Sequence, residues 1–270
     1  MKRVAQVLVI ALVVLFSVGP FAWILLASFK TPASIVERPP TFLPEGSLTF
    51  YQTALDEHDL LHYAGNSALV AGSTTVIAIL FGTLAAYPLA RTRIRGRRVL
   101  LAVILAASMF PQIAIVGGVY RLLLAMGLLN TYPGLILPYT ALTLPLAIWI
   151  LASFFKELPV ELEESARVDG CGMWTTVWRI FVPVAAPGIF TAAILVFIYS
   201  WNEFFFALLI MTDPAVQTLP VGIAKFPGEY TVPWGELSAA AVIATLPIVI
   251  LVLFLQRRII SGLTAGAVKG

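Results

Sequence analysis

Long apolar runs alternate with shorter polar connections along this chain. About 20 apolar residues in a helix suffice to cross the hydrocarbon core of a bilayer, and a helix satisfies its own backbone hydrogen bonds there. The runs that meet this length lie at about 4–29, 67–89, 99–124, 132–155, 185–211 and 237–255. The pattern therefore predicts an all-α, polytopic membrane protein with six transmembrane helices, in which residues 1–270 form a single transmembrane domain.

The composition agrees with a membrane protein. Hydrophobic residues make up 60% of the chain and charged residues only 11%, which is too apolar for an ordinary soluble domain. The first run follows Lys2 and Arg3 and could pass for a signal peptide. It continues to Phe29 without a clear small-residue cleavage site, so we expect an uncleaved first span. The single cysteine, Cys171, excludes an internal disulfide bond.

The basic residues predict how the chain is oriented, because Lys and Arg accumulate on the cytoplasmic side of membrane proteins. With the N-terminus inside, 13 of the 17 basic residues lie on that side, including five arginines between residues 91 and 98. The other four are Lys30, Arg38, Arg121 and Lys225. We therefore expect both termini in the cytoplasm, and we interpret the arginine cluster as a topology anchor.

The cytoplasmic connection at 156–187 combines charge with a regular pattern. Glu163 and Arg167 have the favourable acid-first i,i+4 spacing of a helix. Asp169-Gly170 should end that helix, because glycine can take the positive φ that a reversal needs. A second helix is predicted to carry one apolar stripe, made of Trp174, Val177, Trp178 and Phe181. An outward stripe between two membrane spans is a candidate docking surface for a partner.

The same segment resembles the EAA loop of ATP-binding-cassette (ABC) importer permeases, whose pattern is E-A-A, three residues, G, nine residues, then I-x-L-P. Residues 164–166, 170 and 180–183 keep this spacing, with Ser165 and Val182 as departures. The terminal sequence at 262–270 is similar to the C-terminus of the second permease of maltose-type sugar importers. The resemblance assigns the coupling loop to Glu164, Ser165, Ala166, Asp169, Gly170, Trp174, Trp178 and Pro183.

The resemblance implies a permease subunit that moves a sugar, a di- or oligosaccharide, into the cytoplasm by alternating access. It implies a second permease subunit, two ATPase subunits and an extracytoplasmic sugar-binding protein as partners, besides membrane lipid and without nucleic acid. It also implies a multi-pass protein in the cell membrane of a prokaryote. The chain contains no Walker A motif. We therefore expect no enzyme activity and no bound cofactor or metal here, with ATP and Mg held by the partner ATPase subunits.

Three alternatives remain open from the sequence. The solute could be different, such as glycerol phosphate or an amino sugar. A gradient-driven transporter is disfavoured, since such carriers more often hold several intramembrane ionisable residues. A zinc membrane peptidase is suggested by the segment from His58 to His62, which is similar to the H-E-x-x-H motif. The shorter Asp59 and the lack of a third ligand favour a solvated surface helix instead.

One acidic residue lies inside the fifth predicted span. A carboxylate at membrane depth is costly unless it faces the bundle interior or a water-filled cavity. We predict that Trp201, Asn202 and Glu203 lie on the substrate path. The alternative is a structural acid that is hydrogen-bonded to a neighbouring helix.

The proline-rich connection at 213–235 is expected outside the cell. In maltose-type importers the matching loop reaches into the sugar site of the binding protein. The resemblance therefore implies a binding-protein contact loop made of Lys225, Phe226, Pro227, Gly228 and Glu229.

Overall fold

The computed structural model describes the backbone of residues 2–39, 41–92, 94–226 and 232–267. The protein is 79% helical and contains no strand in these ranges, so the predicted all-α class is confirmed. The helices are α1 Lys2–Ser28, α2 Thr49–Asp56, α3 Leu60–Arg91, α4 Arg97–Ser108, α5 Gln112–Ala125, α6 Tyr132–Glu157, α7 Glu161–Val168, α8 Met173–Val184, α9 Ala186–Asn202, α10 Phe205–Ile210, α11 Leu219–Ala224 and α12 Trp234–Ala267.

Several of these helices are long and apolar enough to cross a membrane. Within the described ranges, α1, α3, α6 and the part of α12 up to Leu255 meet both criteria individually. Two further pairs, α4 with α5 and α8 with α9, meet them together but are bent by 83° and 82° at their breaks. The chain thus has four candidate spans, or six if each bent pair crosses once. The prediction of six spans stays a prediction.

A proline lies at each of the two bends. Pro111 precedes α5 with an extended backbone (ψ 122°), and a proline there has no N–H to lose from the helix ladder. The apolar run at 99–124 is therefore interrupted before Gln112. Pro187 occupies the first turn of α9, where its ring is tolerated because those N–H groups are unpaired anyway.

The fifth predicted span, 185–211, is not one helix. The helix α9 ends at Asn202, Glu203 is extended (ψ 126°), and α10 begins at Phe205. Hydropathy alone missed this break, because residues 204–211 continue the apolar run beyond Asn202 and Glu203.

The contacts divide the chain into two compact units, and the single domain expected from the sequence stays a prediction. One unit comprises residues 66–218 and 250–270. Its core contains Tyr87 of α3, Phe155 of α6 and Phe181 of α8, all of which are buried. Small residues let its helices approach closely: a Cβ on Gly188 of α9 would overlap the Phe154 ring of α6.

The other unit comprises residues 1–65 and 219–249. Here two glycines face aromatic rings, because a Cβ on Gly222 would overlap the Tyr63 ring and one on Gly235 the Phe50 ring. These contacts pack α11 against the start of α3, and the start of α12 against α2. Within this unit, the polar segment before α3 therefore packs through α2 against the start of α12.

Candidate functional site

The first helix of the 156–187 connection, α7, matches its predicted electrostatics. Glu161, Glu163 and Glu164 lie in its first turn and Arg167 in its last, which complements the helix dipole. Arg167 Nη2 lies 2.6 Å from Glu163 Oε1, the expected i,i+4 ion pair. Glu163 is mostly buried beside Ala166 (12% side-chain exposure), whereas Glu161, Glu164 and Arg167 are exposed.

The turn after α7 depends on Gly170. Its φ is +73°, the left-handed conformation expected from the sequence. The Cys171 N–H donates to the Ala166 carbonyl at 2.9 Å, and the Gly170 N–H donates to the Arg167 carbonyl at 3.1 Å. This pair of bonds is the Schellman motif, which satisfies the last carbonyls of a helix. The turn thus fixes the direction in which α8 leaves α7.

The second helix, α8, does not carry the single apolar stripe that the sequence predicts. Val177 and Phe181 are buried (2% and 0% exposed), whereas Trp174 and Trp178 are 66% and 36% exposed. The reason is a π-helical turn at Thr176–Phe181, which adds a residue to the turn and changes which positions share a face. Two members of the predicted stripe belong to the core, and the two tryptophans point outward.

The loop consequently exposes apolar side chains around its turn. Val168 is 87% exposed, and Val160, Met173 and Trp174 are also exposed. Apolar residues left uncovered in this way mark interaction surfaces. Most residues that the resemblance assigns to the coupling loop are exposed as well: Glu164, Ser165, Asp169, Gly170, Trp174, Trp178 and Pro183. Ala166 instead packs inward.

Arg91 connects this loop to the spans, a role that the sequence did not reveal. Its Nη2 donates to the Leu158 carbonyl at 2.5 Å and to the Pro159 carbonyl at 3.4 Å. Its guanidinium carbon lies 5.0 Å from the centroid of the Phe181 ring, a cation–π arrangement. Three segments meet at this side chain: the end of α3, the end of α6 and α8. Its position within an arginine cluster concealed it, since such clusters usually only set topology.

A cleft of about 420 Å³ lies beside the break between α9 and α10. Its lining residues are Gln112, Ile198, Tyr199, Asn202, Glu203, Phe204 and Phe205. Two predicted path residues, Asn202 and Glu203, are therefore at the cleft. The third, Trp201, is buried and stacks on Phe197 with ring centroids 5.6 Å apart, so it does not line the cleft. Amide, hydroxyl and aromatic groups at one wall can bind a polar molecule with apolar faces.

Two amides and a hydroxyl shape the polar side of this cleft. The Gln112 side chain donates to the Tyr199 hydroxyl, which joins the start of α5 to α9. Asn202 Nδ2 donates to the Ile198 carbonyl of its own helix at 2.8 Å, and the side chain is exposed. Each amide has further donor and acceptor groups besides the bond described, and both residues line the cleft.

Glu203 is both a lining residue and a structural one. Its Oε1 accepts from the Phe206 N–H at 3.0 Å and its Oε2 from the Ala207 N–H at 3.3 Å. The Tyr139 hydroxyl of α6 also donates to this carboxylate. The acid thus caps the first turn of α10 and links it to α6, which offsets the cost of its burial (7% exposed). The bond from Tyr139 of α6 agrees with the alternative raised from the sequence, a structural acid that is hydrogen-bonded to a neighbouring helix.

Two residues of the predicted binding-protein contact loop, Lys225 and Phe226, lie among the described residues. Before it, the segment from Asp213 to Ala224 contains a short 3₁₀ turn and α11. Lys225 is exposed and Phe226 half-buried, and the Phe226 ring stacks on His58 with centroids 4.1 Å apart. Pro227, Gly228 and Glu229 lie outside the described residues.

The geometry needed for a zinc peptidase is missing. His58 and Asp59 precede α3, and Asp59 has φ +50°, so His58 and His62 do not share a helix face. His58 Nε2 instead lies 2.9 Å from Glu236 Oε2. In the part of the chain that the structure describes, no three His, Cys, Asp or Glu side chains form a metal-binding group. The solvated surface helix expected here is present only from Leu60, where His62 is exposed on α3, whereas His58 is half-buried in the turn before it.

Comparison with known proteins gives one family for most of the chain. Residues 78–264 match the family described as binding-protein-dependent transport system inner membrane component. The chain is 41% identical over 281 residues to the trehalose/maltose transport system permease of Thermococcus litoralis, covering 100% of this chain and 98% of that protein. It is 42% identical over 252 residues to the sulfoquinovosyl glycerol permease of Agrobacterium fabrum, covering 93% and 88%.

A third relative and a solved structure agree with these matches. The trehalose permease of Mycobacterium tuberculosis is 40% identical over 264 residues, covering 96% of this chain and 95% of that one. A bacterial ABC transporter that imports alginate superimposes with a TM-score of 0.81 at 22% identity, over 95% of each chain. At that identity the superposition establishes the fold alone.

Proposed function

The chain belongs to the family of inner membrane components of binding-protein-dependent transport systems, and from this premise we propose that it carries a di- or oligosaccharide into the cytoplasm. It is a multi-pass permease subunit of an ABC importer and not an enzyme. It works with a substrate-binding protein and with ATPase partners. The full-length identity of 41% to a trehalose/maltose permease is the observation that carries the choice of sugar.

The cleft beside Asn202 supports a sugar as the solute. A sugar presents hydroxyl groups around its rim and apolar C–H faces, which amide and hydroxyl groups together with aromatic rings can bind. The cleft offers the amides of Gln112 and Asn202, the Tyr199 hydroxyl and the ring of Phe204. Asn202 and Tyr199 are the residues of this wall that contact the sugar in passage. Glu203 holds the wall in shape.

The chain is the second permease of a heteromeric pair, as its terminal sequence suggests. Its partners are the first permease, two ATPase subunits and an extracytoplasmic sugar-binding protein. ATP and Mg are bound by the ATPase subunits, and this chain itself binds no cofactor. The Lys and Arg distribution supports cytoplasmic termini, with α7 and α8 facing the ATPases and the segment from Lys225 to Glu229 facing the binding protein.

Transport follows from a rigid connection between loop and spans. ATP binding closes the ATPase pair, and the exposed apolar side chains around the Gly170 turn move with it. Because Phe181 packs against Tyr87 and Phe155 (ring centroids 5.1 and 5.8 Å apart), α8 pulls on α3 and α6. The spans then change their tilt, the cleft opens outward, and hydrolysis resets the complex.

The proposal is tested by purification followed by uptake. A tagged chain is isolated from its own membrane, and the subunits and binding protein that accompany it are identified. The complex is placed in liposomes with ATP inside, and uptake of labelled trehalose and maltose is measured. We expect uptake that requires both ATP and the binding protein. Uptake of glycerol phosphate or an amino sugar without either disaccharide would favour the other solute class, and uptake without ATP would contradict the ABC mechanism.

A further inference from the structure

The connection that follows α1 folds back against the end of that helix. The Lys30 ammonium donates to the Thr41 carbonyl at 2.5 Å. A few residues later, the Ser47 N–H donates to the Phe29 carbonyl at 2.9 Å. The chain between these two bonds, 41–47, is therefore held across the end of α1. All of these residues lie in the same compact unit.

Phe42 reaches further back along α1 than either of these bonds. Its ring contacts the Trp23 ring edge to face, with centroids 5.9 Å apart and an interplanar angle of 70°. Trp23 lies five residues before Ser28, where α1 ends, a distance of about 7.5 Å along the helix axis. Phe42 therefore lies beside the body of the helix and not beyond its end.

The length of α1 places Trp23 at a defined depth in the membrane. The charged residues Lys2 and Arg3 favour a position at the membrane surface where the helix begins. About 20 helical residues cross the hydrocarbon core, and this count from Val4 ends at Trp23. Tryptophan is enriched at this boundary between hydrocarbon and headgroups. The Phe42 ring, which contacts Trp23, lies at the same level.

The side chains of the connection at this level are apolar and uncovered. Phe42 is 71% and Leu43 is 83% exposed, and Trp23 beside them is 41% exposed. The most apolar stretch of α1 is likewise not buried by the described parts of this chain. Phe42 and Leu43 thus continue the uncovered apolar surface of a membrane-spanning helix. At an interface, such side chains are stabilised by entering the boundary between headgroups and acyl chains.

Lys30 holds this arrangement together from the inside. Its side chain is only 2% exposed, and its ammonium lies 5.0 Å from the centroid of the Trp23 ring. The charge is therefore stabilised by an aromatic face and by the Thr41 carbonyl. Because Thr41 immediately precedes Phe42, the bond to Lys30 keeps Phe42 on Trp23.

We propose that Phe42 and Leu43 insert into the phospholipid surface at which α1 ends, and that Lys30 is the positioning residue for this contact. The partner is the boundary region of the bilayer itself, bound through apolar side chains. A soluble protein approaches from the water, whereas Phe42 lies at the level of the hydrocarbon boundary. The inference requires only that α1 spans the membrane, so it goes beyond the proposed function and does not depend on the solute.

The first test measures the depth of Leu43 in the assembled complex in liposomes. Leu43→Cys carries a nitroxide label, and the other cysteines of the complex, including Cys171, are replaced by serine. Power saturation compares the collisions of the label with oxygen, which concentrates in lipid, and with a water-soluble nickel chelate. We expect oxygen collisions to dominate at Leu43. Dominant chelate collisions would overturn the inference, and so would few collisions with either reagent, which indicate cover by protein.

A matched control is the same label at Val36, in the same connection. Val36 is 70% exposed, and it ends the short 3₁₀ turn Ser34–Val36. This turn is closed just beyond α1, where the Ile35 N–H donates to the Thr31 carbonyl at 3.1 Å. We therefore expect chelate collisions to dominate at Val36. Equal depth at both positions would contradict a specific insertion of Phe42 and Leu43.

The second test identifies what covers the site in intact cells. A photoreactive benzophenone amino acid replaces Phe42, and the chain is isolated after irradiation and analysed by mass. We expect adducts of phospholipid mass. Cross-links to the second permease or to a binding protein, without lipid adducts, would show that a protein occupies this surface and would overturn the inference.

The role of Lys30 is tested with the label kept at Leu43. Lys30→Met retains an apolar stem but removes the donor to Thr41, so the detached fraction of the connection should rise about fivefold, the effect of losing one hydrogen bond. Chelate collisions at Leu43 should increase accordingly, while those at Val36 stay at the parent value. Lys30→Arg keeps a donor and should restore part of the depth. Unchanged collisions at Leu43 in Lys30→Met, or an equal change at Val36, would overturn the positioning role.

Discussion

The guanidinium of Arg91 lies over the ring of Phe181, with its central carbon 5.0 Å from the ring centroid. The same guanidinium donates to the Leu158 carbonyl at 2.5 Å. The end of α3, the end of α6 and the second helix of the cytoplasmic loop thus share one cation. Any rotation of α8 away from α3 must break one of these contacts, so Arg91 can transmit movement between the loop and the spans.

Replacing Arg91 should uncouple ATP hydrolysis from transport. Arg91→Met removes the donor and the charge, which costs about 1.5–3 kcal/mol for a charged hydrogen bond. We expect less uptake per ATP hydrolysed at a normal yield of complex. Arg91→Lys keeps the charge without the planar fork and should lie in between. Arg98→Met, an exposed arginine of the same cluster, is the control, and an equal loss there would contradict a specific role for Arg91.

Gly170 should tolerate no β-branched residue. Its φ of +73° is strained for any residue with a Cβ, by about 1–2 kcal/mol. A Cβ at this position would meet nothing within 4 Å, so the effect is conformational and not steric. We expect Gly170→Val to lose uptake while the ATPase subunits hydrolyse ATP or dissociate.

The control for Gly170 is Gly172, two residues away. It has φ −72° and equally open surroundings, so Gly172→Ala should transport like the parent. Gly170→Asn should be milder than valine, because asparagine adopts the left-handed conformation more readily. Normal uptake by Gly170→Val would show that the direction of the turn is unimportant.

Substitution of Glu203 should affect assembly before transport. Glu203→Leu leaves the Phe206 and Ala207 N–H groups and the Tyr139 hydroxyl without their acceptor, at a cost of about 1–3 kcal/mol for each buried group. We expect a lower yield of complex. Glu203→Gln keeps one acceptor oxygen and should retain partial yield and uptake. A normal yield of Glu203→Leu with poor uptake would instead favour a direct role on the path.

Asn202 provides the complementary test of the path. Its side chain is exposed at the cleft, and its bond to Ile198 lies within one helix. Asn202→Ala should therefore leave the yield of complex unchanged. We expect labelled disaccharide uptake to fall about fivefold, the effect of losing one hydrogen bond to the permeant. Uptake equal to that of the parent would remove Asn202 from the path.

Close packing at Gly188 should be sensitive to a single methyl group. A Cβ there would overlap the Phe154 ring, and overpacking of this kind costs about 1–3 kcal/mol. Gly188→Ala should lower the thermal stability of the complex in detergent. Phe154→Leu in the same chain should restore part of the loss, because the smaller side chain makes room. If the double variant is no more stable than Gly188→Ala, the two residues do not act through this contact.

Structural features that depend on one residue, or on the spacing of two nearby residues, were predictable from the sequence. The positive φ of Gly170, the ion pair of Glu163 with Arg167 and the break at Pro111 each follow from the properties of that residue or spacing. The all-α membrane class follows from hydropathy in the same way. These features require no knowledge of what packs against them.

Features that depend on a distant contact were not predictable. The π turn in α8 exists where Phe181 reaches into the core between Tyr87 and Phe155, and no pattern within residues 173–184 signals it. The break at Glu203 depends on a side chain that accepts from the backbone three and four residues later. The contact of His58 with Glu236 joins residues 178 positions apart, so the histidine motif suggested a metal site instead.

The break at Glu203 also has an electrostatic consequence for the cleft. Because α9 stops at Asn202, the carbonyls of its last turn have no N–H groups of a following turn to pair with. That turn carries Ile198, Tyr199 and Asn202 at the cleft wall, and the end of a helix holds a partial negative charge. The Glu203 carboxylate adds little to this charge, because it already accepts from the Phe206 and Ala207 N–H groups and from the Tyr139 hydroxyl. A partial charge of this kind attracts the hydroxyl protons of a solute that enters the cleft.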